Sequence, residues 1–527
     1  MKNELELKLK KLFKTKERPQ VRVILNEYGD LASNVLFIAA KENKKEPKKI
    51  WDEFKNEVEK RLAKNFEKIE FVNGYLNFQL KKDLLFKAFK IAVKKPKQIS
   101  FSNFGHKQKV IVEFLSANPT GPLHLGNGRN AVLGEIISRV LKKTGFSVFK
   151  EYYNNNRGRQ IKILGLSALS FLKLPTESEN ELYKGKYLEE LVNKNKGLCF
   201  KFKDQPEYLG YLLSKKILEF YIKPTLKSLG IKFDNFFSER SLYSSLDKEV
   251  LQKIKRHTYK KDGALWLKLE TKDEVLIKSD GEPTYFLSDI IYHYHKFVKR
   301  NFKYGINILG ADHLDHGRRL KEALKILGIK ENKLKFIIYQ LVYVKKFEKI
   351  LKMSKRKGDI IFLDDLIKEV GPDPIKFYFA FHPPETHLTF DLELAKKKTE
   401  ENLYWYVVYT GARLESILKK FGKISKKEID VKKCWEIFKD NKQFIEILKR
   451  IYFWKEILIE VAKSLQVQIL PQYIVETCKK INNFYESEKI IEKDRSKTYQ
   501  KLPAIIALVN FLKEAFDTLN IEFKEKV

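Results

Sequence analysis

The segment KVIVEFLSANPTGPLHLGNGRNAVLGEIISRVLKKT, residues 109–144, contains the pattern that decides the fold of the central region. Its first part, Lys109–Leu115, combines β-branched and aromatic residues as a buried strand does. The next twelve residues hold two prolines, two glycines and two asparagines, and from Gly128 onward apolar residues recur at helical spacing. A strand, a turn and a helix N-terminus together favour an anion, because free amides and the helix dipole attract negative charge. The segment therefore predicts a phosphate site, with His124 in the turn.

The composition restricts the classes of protein to which the chain can belong. Its 527 residues include 104 Lys and Arg against 68 Asp and Glu, a net charge of +36. This excess favours a polyanionic partner, nucleic acid first of all, over a charge that is merely solvated. The three cysteines form no CxxC pair, the N-terminus has no signal-peptide pattern, and no apolar run approaches the roughly 20 residues of a membrane span. We therefore expect a cytoplasmic protein with no disulfide framework and no membrane segment.

Three regions follow one another along the chain. Residues 1–105 carry amphipathic helices and a hairpin signal around Asn73-Gly74, which predicts a small α+β domain. Residues 106–395 predict an α/β domain with a parallel sheet, interrupted by a helical insertion at about 167–260. Residues 396–527 show helical apolar spacing almost throughout and predict an all-α bundle. The expected strands of the central region are Val110–Leu115, Ser147–Tyr153, Ala264–Leu269, Val275–Lys278, Tyr304–Leu309 and Phe336–Val344.

One interpretation of the turn is a dinucleotide site. GNGRNA, from Gly126 to Ala131, fits the pattern G-x-G-x-x-A, and the acidic Glu151 follows twenty positions after Ala131. In that fingerprint the glycines follow the strand directly, whereas ten residues separate Leu115 from Gly126. The match is therefore weak, and an NAD-dependent oxidoreductase stays an alternative that leaves the charge of +36 unexplained.

A second segment, LKMSKRKGDII at 351–361, crowds four basic residues into a loop with Ser and Gly. Alone it would be a solvated basic turn, but together with His124 it resembles the signature of the class I aminoacyl-tRNA synthetases. His124–Asn127 resembles the HIGH motif of that class, and Lys352–Arg356 resembles its KMSKS motif. The chemistry fits, because attack of a carboxylate on the α-phosphate of ATP builds negative charge that imidazole, ammonium and amide groups stabilise.

Two acidic residues stand in apolar surroundings and suggest a cationic ligand. Glu113 lies within an otherwise apolar strand, and Asp289 shares a mostly apolar helix face with Tyr285, four positions earlier. The planar guanidinium group of arginine could use both carboxylates. For each acid alone a structural interpretation is slightly favoured, in which Glu113 pairs internally and Asp289 caps a turn.

Long segments, among them SANPTGPLHLGNGRNAVLGE, SDGEPTYFLSDIIYHYHKF and ILGADHLDHGRRL, resemble the arginyl-tRNA synthetase family, and the resemblance covers essentially the whole chain. It implies a Rossmann-like catalytic domain, an N-terminal domain that contacts the tRNA elbow, a helical anticodon-binding domain and a monomer. It also implies the substrates L-arginine, tRNA-Arg and ATP with Mg²⁺. Arginine binding is implied for Glu113, Ser116, Asn118, Tyr285, Asp289 and His313. ATP binding is implied for Pro122, His124, Gly126, Asn127, Met353, Ser354 and Lys355, with His124, Asn127, Lys352 and Lys355 catalytic. Binding of tRNA is implied for Asn73, Tyr75, Asn77, Tyr406, Tyr409 and Arg413.

The chain departs from the family pattern at three positions, one of which is Lys355, a KMSKS residue that many arginyl enzymes lack. Asn127 replaces the second histidine of HIGH, and Asn156 stands where aspartate is usual. His313 and His316 have HxxH spacing, but without a third strong ligand we expect no protein-ligated metal. A non-catalytic tRNA-binding relative of the synthetases stays a second alternative, which the intact His124 and Lys355 disfavour.

Overall fold

A computed structural model describes residues 1–175, 182–243, 246–347, 349–351, 361–421 and 429–525. The first region contains an antiparallel sheet of four strands in the order β1-β2-β4-β3, flanked by helices. Its elements are α1 (Lys2–Leu12), β1 (Val21–Asn26), β2 (Gly29–Ser33), α2 (Val35–Asn43), α3 (Pro47–Leu62), β3 (Phe66–Val72), β4 (Tyr75–Leu80), α4 (Lys82–Lys94) and α5 (Lys97–Ser100). Asn73 and Gly74, both with positive φ, join β3 to β4. The predicted hairpin is confirmed.

The central region is built on a parallel sheet of five strands, which confirms the predicted α/β fold. The strands of this region are β5 (Lys109–Glu113), β6 (Ser147–Asn154), β7 (Asn235–Ser238), β8 (Thr258–Lys261), β9 (Ala264–Leu267), β10 (Glu274–Ile277), β11 (Tyr304–Gly310), β12 (Leu334–Tyr339), β13 (Val342–Lys346), β14 (Lys349–Leu351) and β15 (Leu388–Asp391). The sheet has the order β12-β11-β5-β6-β7. Strand β5 lies at its centre, where Val110, Ile111 and Val112 are buried on both faces.

Three predicted strands differ from the structure. The runs 264–269 and 275–278 contain β9 and β10, which form a separate antiparallel sheet with β8. The reason is the two-residue turn Asp262-Gly263, whose positive φ angles make a hairpin rather than a crossover. The run 336–344 splits into β12 and β13, because β13 leaves the parallel sheet to pair with β14 and β15. Strand β7 lies within the segment predicted to be helical.

Helices cover the sheet and form most of the C-terminal region. They are α6 (Leu125–Lys143), α7 (Arg159–Phe171), α8 (Lys186–Asn193), α9 (Lys196–Lys201), α10 (Pro206–Ile217), α11 (Lys223–Ser228), α12 (Leu246–Ile254), α13 (Tyr285–Tyr294), α14 (Leu314–Ile326), α15 (Leu363–Val370), α16 (Pro372–Phe381), α17 (Leu392–Lys396), α18 (Leu403–Lys420), α19 (Val431–Phe438), α20 (Lys442–Ser464), α21 (Ile469–Ser487) and α22 (Arg495–Thr518). None of these helices, over the ranges that the structure describes, has the length and apolar character to cross a membrane.

The helix α6 fixes the geometry of the site because it packs directly on β5. At Gly134 a side chain would collide with the ring of Phe114, 2.1 Å from the position of a Cβ atom. The absence of that Cβ allows the helix to approach the strand closely. The N-terminus of α6 therefore lies beside the C-terminal end of β5.

Candidate active site

The turn that follows β5 is strained and held by side chains. Leu115 and Ser116 have φ angles of 68° and 35°, which non-glycine residues rarely adopt. Asn130 accepts a hydrogen bond from the amide of Leu115 at 2.6 Å, and its amide group donates to the carbonyl of Ile308 at 2.9 Å. The hydroxyl of Ser116 accepts from the amide of Tyr153 at 3.2 Å. Strain that the surroundings enforce in this way is typical of functional sites.

His124 caps the N-terminus of α6 through a reciprocal pair of hydrogen bonds. Its Nδ1 accepts from the amide of Asn127 at 3.4 Å, and its own amide donates to Asn127 Oδ1 at 3.1 Å. Gly126 lies against the imidazole ring, 3.2 Å from Cε1 at the position of an added Cβ. The departure at Asn127 is thus a capping residue, and Gly126 keeps the first turn of the helix open to an anion.

The strand-like segment at His124 also meets the chain beyond the basic loop. His124 forms a β-bridge with Phe362, and Leu363 donates to the carbonyl of Leu123 at 2.8 Å. The described chain that follows the KMSKR segment thus contacts the HIGH-like turn. Lys352, Met353, Ser354 and Lys355 themselves lie outside the described residues.

The two acids predicted to bind a cation lie on neighbouring elements. Asp289 on α13 accepts from His316 Nε2 on α14 at 2.5 Å, and the ring of Tyr285 packs 5.3 Å from that imidazole. The negative charge of Asp289 raises the pKa of Tyr285 well above the usual value, so the phenol stays protonated. Glu113 pairs with the buried Lys296 and lies 3.4 Å from the hydroxyl of Ser116.

Burial raises the pKa of Glu113, and the ammonium group of Lys296 offsets that effect only in part. The internal pairing that the sequence left open for Glu113 is therefore present. Lys296 contacts Oε2 of Glu113, whereas Oε1 of Glu113 faces the hydroxyl of Ser116.

A third carboxylate, which sequence reasoning missed, follows β7. Glu239 is 7% exposed, and its Oε2 has no hydrogen-bond partner within the described part of the chain. The buried hydroxyl of Tyr153 also lacks one there. Burial raises the pKa of Glu239 to about 7, and the charge of Asp289 reinforces the effect. The signal was an acid two positions after Phe236-Phe237, within a segment interpreted as helical.

The remaining predicted pocket residues lie around this edge. Asn118 is half-buried and donates to Gln160 at 2.5 Å, while Pro122 is half-buried in the turn before His124. His313 is half-buried 6.2 Å from the ring of His316, so the structure brings His316 rather than His313 onto Asp289. Across the described ranges, no three His, Cys, Asp or Glu side chains form a group that could hold a metal ion.

Two residues of the dinucleotide pattern have structural roles instead. GNGRNA lies inside α6, and its Arg129 is fully buried, donating to the carbonyls of Gln340, Pro383 and Thr386 at 2.7–3.1 Å. Glu151 accepts hydrogen bonds from Tyr292, Arg300 and Asn235, each at 2.7 Å. These bonds outweigh burial and lower the pKa of Glu151. Neither residue supports the oxidoreductase alternative.

The residues expected to contact tRNA lie in the first and last regions. Tyr75 is 46% exposed and packs edge-on against the exposed Phe37, whereas Asn77 is buried and donates to the carbonyl of Tyr28 at 3.3 Å. Asn73 forms the turn between β3 and β4. On α18, Tyr409 is exposed and stacks on Trp405, and Tyr406 is half-buried. The guanidinium of Arg413 covers the ring of Tyr485 at 3.9 Å.

Known families match nearly the whole chain. Residues 1–80 match the Arginyl tRNA synthetase N terminal domain, residues 90–373 the catalytic domain of tRNA synthetases class I (R), and residues 407–527 the DALR anticodon binding domain. An arginine–tRNA ligase of Caldanaerobacter subterraneus subsp. tengcongensis is 34% identical over 95% of this chain and 92% of its own length. The corresponding ligase of a Nitratiruptor species is 36% identical over 97% of this chain and 96% of its own length.

The fold matches as well. The arginyl-tRNA synthetase of Thermus thermophilus superposes with a TM-score of 0.80 at 20% identity, over 100% of both chains. At 20% identity the superposition shows only that the two proteins share a fold. With the family models and the two relatives, it leads to one conclusion: the chain belongs to the arginyl-tRNA synthetase family of class I ligases.

Proposed function

We propose that the C-terminal edge of the parallel sheet is where this ligase activates L-arginine with ATP, before it transfers arginine to tRNA-Arg. The observation that carries the proposal is that Glu113, Asp289 and Glu239 lie close enough to act on one another or on Tyr285, beside the turn that α6 holds through Asn130. The carboxylates suit a cationic side chain, and a helix N-terminus suits a polyphosphate, so arginine and ATP could bind side by side here.

In this assignment Glu113 and Asp289 hold the guanidinium group, with Glu239 as a third acid. His316 occupies Oδ2 of Asp289, which leaves Oδ1 for the substrate. The unpartnered Oε2 of Glu239 is a second acceptor. Ser116, Asn118, Tyr285 and His313 line the rest of the proposed pocket. Lysine, a point cation, cannot make the paired contacts of a planar fork, so it is rejected.

ATP lies at the turn, where Pro122, His124, Gly126 and Asn127 would contact it together with Met353, Ser354 and Lys355. Nδ1 of His124 accepts from an amide, so the neutral imidazole carries its proton on Nε2 and donates it to a phosphate oxygen. The arginine carboxylate attacks the α-phosphorus, and the bond to the pyrophosphate oxygen breaks. His124, Asn127, Lys352 and Lys355 then stabilise the charge on the phosphoryl oxygens.

In the second step a hydroxyl of the terminal ribose of tRNA-Arg attacks the adenylate carbonyl and releases AMP. We assign residues 1–105 to the tRNA elbow, through Asn73, Tyr75 and Asn77. Residues 106–395 form the catalytic domain, with an insertion at about 167–260. Residues 396–527 bind the anticodon through Tyr406, Tyr409 and Arg413. The exposed rings of Tyr75 and Tyr409 support this assignment, because nucleobases stack on such surfaces.

Three further features belong to this proposal. ATP enters as its Mg²⁺ complex, in which the phosphate oxygens are ligands. The chain acts as a monomer in the cytoplasm, where tRNA is charged for translation. Size-exclusion chromatography with light scattering, in the presence and absence of tRNA, measures the oligomeric state.

One assay tests the assignment of the site. Arginine-dependent ATP–pyrophosphate exchange is measured with and without tRNA-Arg, with lysine as the competing amino acid. We expect pyrophosphate exchange with arginine and none with lysine. The Lys355→Ala variant should lose this exchange. The Asp289→Asn variant should show an arginine KM that is increased about tenfold or more. Normal exchange by Lys355→Ala, or an unchanged KM in Asp289→Asn, contradicts the role given to that residue.

A further inference from the structure

A buried ion pair lies behind the proposed guanidinium site. Lys296 belongs to the π-helical turn His295–Lys299 that extends α13, and its side chain is fully buried. Its ammonium group pairs with Glu113 Oε2, lies 3.4 Å from Asn307 Oδ1 on β11, and is 4.0 Å from the centre of the Tyr292 ring. A buried lysine requires such partners, because an unpaired charge is costly there.

The same cluster reaches the second acid of the site. His293 Nε2 accepts from the amide group of Asn307 at 2.9 Å, and its Nδ1 donates to the backbone carbonyl of Asp289 at 2.8 Å. Burial, reinforced by the charge of Lys296, lowers the pKa of His293 well below its usual value, so the imidazole is neutral. Hydrogen bonds thus connect Glu113 on β5 to the backbone of Asp289 on α13 through Lys296, Asn307 and His293.

The two oxygens of Glu113 have different surroundings. Oε2 is held by Lys296, whereas Oε1 lies 3.4 Å from the hydroxyl of Ser116 in the turn before His124. That hydroxyl already accepts from the amide of Tyr153, so its proton points toward Glu113. The carboxylate is therefore fixed by Lys296 at one oxygen, and its other oxygen faces Ser116, a residue of the proposed pocket.

We propose that Lys296 is a positioning residue for arginine recognition: its ion pair orients the Glu113 carboxylate and favours its charged form for the substrate guanidinium. The inference rests on the proposed role of Glu113. A carboxyl group this deeply buried would otherwise favour its neutral form, which binds a cation poorly. The rival interpretation is a structural pair that stabilises the fold and leaves arginine binding unchanged.

Other charged and titratable groups around Glu113 set its ionisation together with Lys296. Asp289, Tyr285 and Tyr292 face it from α13, and Glu151 faces it from β6. His316 on α14 forms a hydrogen bond with Oδ2 of Asp289. The remaining carboxylates oppose ionisation of Glu113, and Lys296 is the cation that contacts it directly. Removal of Lys296 therefore favours the protonated carboxyl group.

The test compares Lys296→Met, Lys296→Gln and Lys296→Arg in the full-length chain. The arginine KM and kcat of aminoacylation are measured with saturating ATP and tRNA-Arg between pH 6.5 and 8.5. We expect both neutral variants to raise KM about tenfold or more at pH 7, with a smaller change in kcat. Their KM relative to the unaltered chain should fall as the pH rises, because Glu113 then ionises. Lys296→Arg, which restores a cation, should lie within about threefold of the unaltered chain.

Lys376→Met is the matched control, because Lys376 also forms a buried pair, with Asp373 at 2.7 Å, on a helix that does not line the pocket. It should lower stability and leave the arginine KM unchanged. If Lys296→Met and Lys296→Gln keep the normal KM, or if their relative KM is independent of pH, the inference is wrong. The Glu113→Gln variant distinguishes failure of the proposed role of Glu113 from failure of the inference about Lys296. An unchanged arginine KM in Glu113→Gln overturns the role of Glu113 itself. An increased arginine KM in Glu113→Gln, together with a normal KM in the Lys296 variants, overturns the role of Lys296 alone.

Discussion

At the scale of single residues, the site holds polar groups whose burial would be costly without a ligand. Oε2 of Glu239 and the hydroxyl of Tyr153, which lie near each other, make no hydrogen bond of good geometry within the described chain and are the clearest examples. Each such group costs about 1–3 kcal/mol when it stays unsatisfied, so the fold retains them at the expense of stability. A bound guanidinium group would satisfy the carboxylate.

We expect Glu239 to make arginine binding dependent on pH. Its folded pKa of about 7 lies above the usual value, so the group is mainly protonated at pH 6 and mainly ionised at pH 8. The guanidinium prefers the ionised form, and we expect the arginine KM to decrease about tenfold between pH 6 and pH 8. Glu239→Gln, which cannot ionise, should show a flatter profile. A KM that depends on pH equally in both proteins would contradict the assignment.

Asn127 offers a test of the anion site. Asn127→Asp keeps an acceptor for the amide of His124, so the cap and the melting temperature should be retained. The added negative charge faces the proposed phosphate position, and we expect pyrophosphate exchange to fall about tenfold or more. The neutral Asn127→Ser serves as the control that keeps an acceptor without the charge. Equal exchange rates for the two variants would place the α-phosphate elsewhere.

Some residues of the site could be predicted from the sequence and others could not, for a physical reason. Glu113 and Asp289 stood out because acids in apolar runs are unusual. Lys296 and His316 did not, because their partners are 183 and 27 positions away in the sequence. Contacts at such separations depend on how strands and helices are arranged in space, and no local pattern reports them.

At the scale of elements, the unit from β5 to α6 was predictable because each part has a local signal. The strand is an apolar run, the turn is rich in proline and glycine, and the helix repeats apolar residues every three to four positions. Strand β7 was missed because four residues, Asn235–Ser238, are too few for a clear period. It nevertheless completes the sheet edge and carries the chain to Glu239.

Gly134 tests the contact between these two elements. An added Cβ would lie 2.1 Å from the ring of Phe114, so Gly134→Ala must displace α6 or the ring. We expect a loss of about 1–3 kcal/mol in the free energy of unfolding, measured as a decrease in Tm by calorimetry. Gly197→Ala is the control, since the helical Gly197 has no atom within 4 Å of an added Cβ. It should be neutral or slightly stabilising. Equal Tm values for both variants would mean that α6 does not depend on this close approach.

At the scale of the whole molecule, the regions are joined by direct contacts. Asn510 on α22 donates to the carbonyl of Ala92 on α4 at 2.9 Å, and Trp454 on α20 donates to Ser100 on α5 at 3.1 Å. Arg139 on α6 contacts Asp517 on α22. The last region therefore touches both the first region and the helix whose other end carries His124. The helical region to which we assign anticodon binding thus packs against the helix that begins beside His124.

The net charge of +36 predicts how tRNA binding responds to salt. Each phosphate neutralised by Lys or Arg releases counterions, so affinity falls as salt rises, and about two such contacts weaken binding roughly tenfold between 50 and 200 mM KCl. We expect the KM for tRNA-Arg to increase by at least this factor. Arginine carries one guanidinium into a buried pocket, so its KM should change about twofold or less.

Tyr409→Ala, with Tyr259→Ala as an exposed control on the separate sheet of β8, distinguishes stacking from charge. Loss of the Tyr409 ring should raise the KM for tRNA about tenfold at every salt concentration, because base stacking is largely independent of counterions. The slope against salt should then be unchanged. A KM for tRNA-Arg that does not respond to KCl would mean that the excess charge is solvated and takes no part in binding RNA.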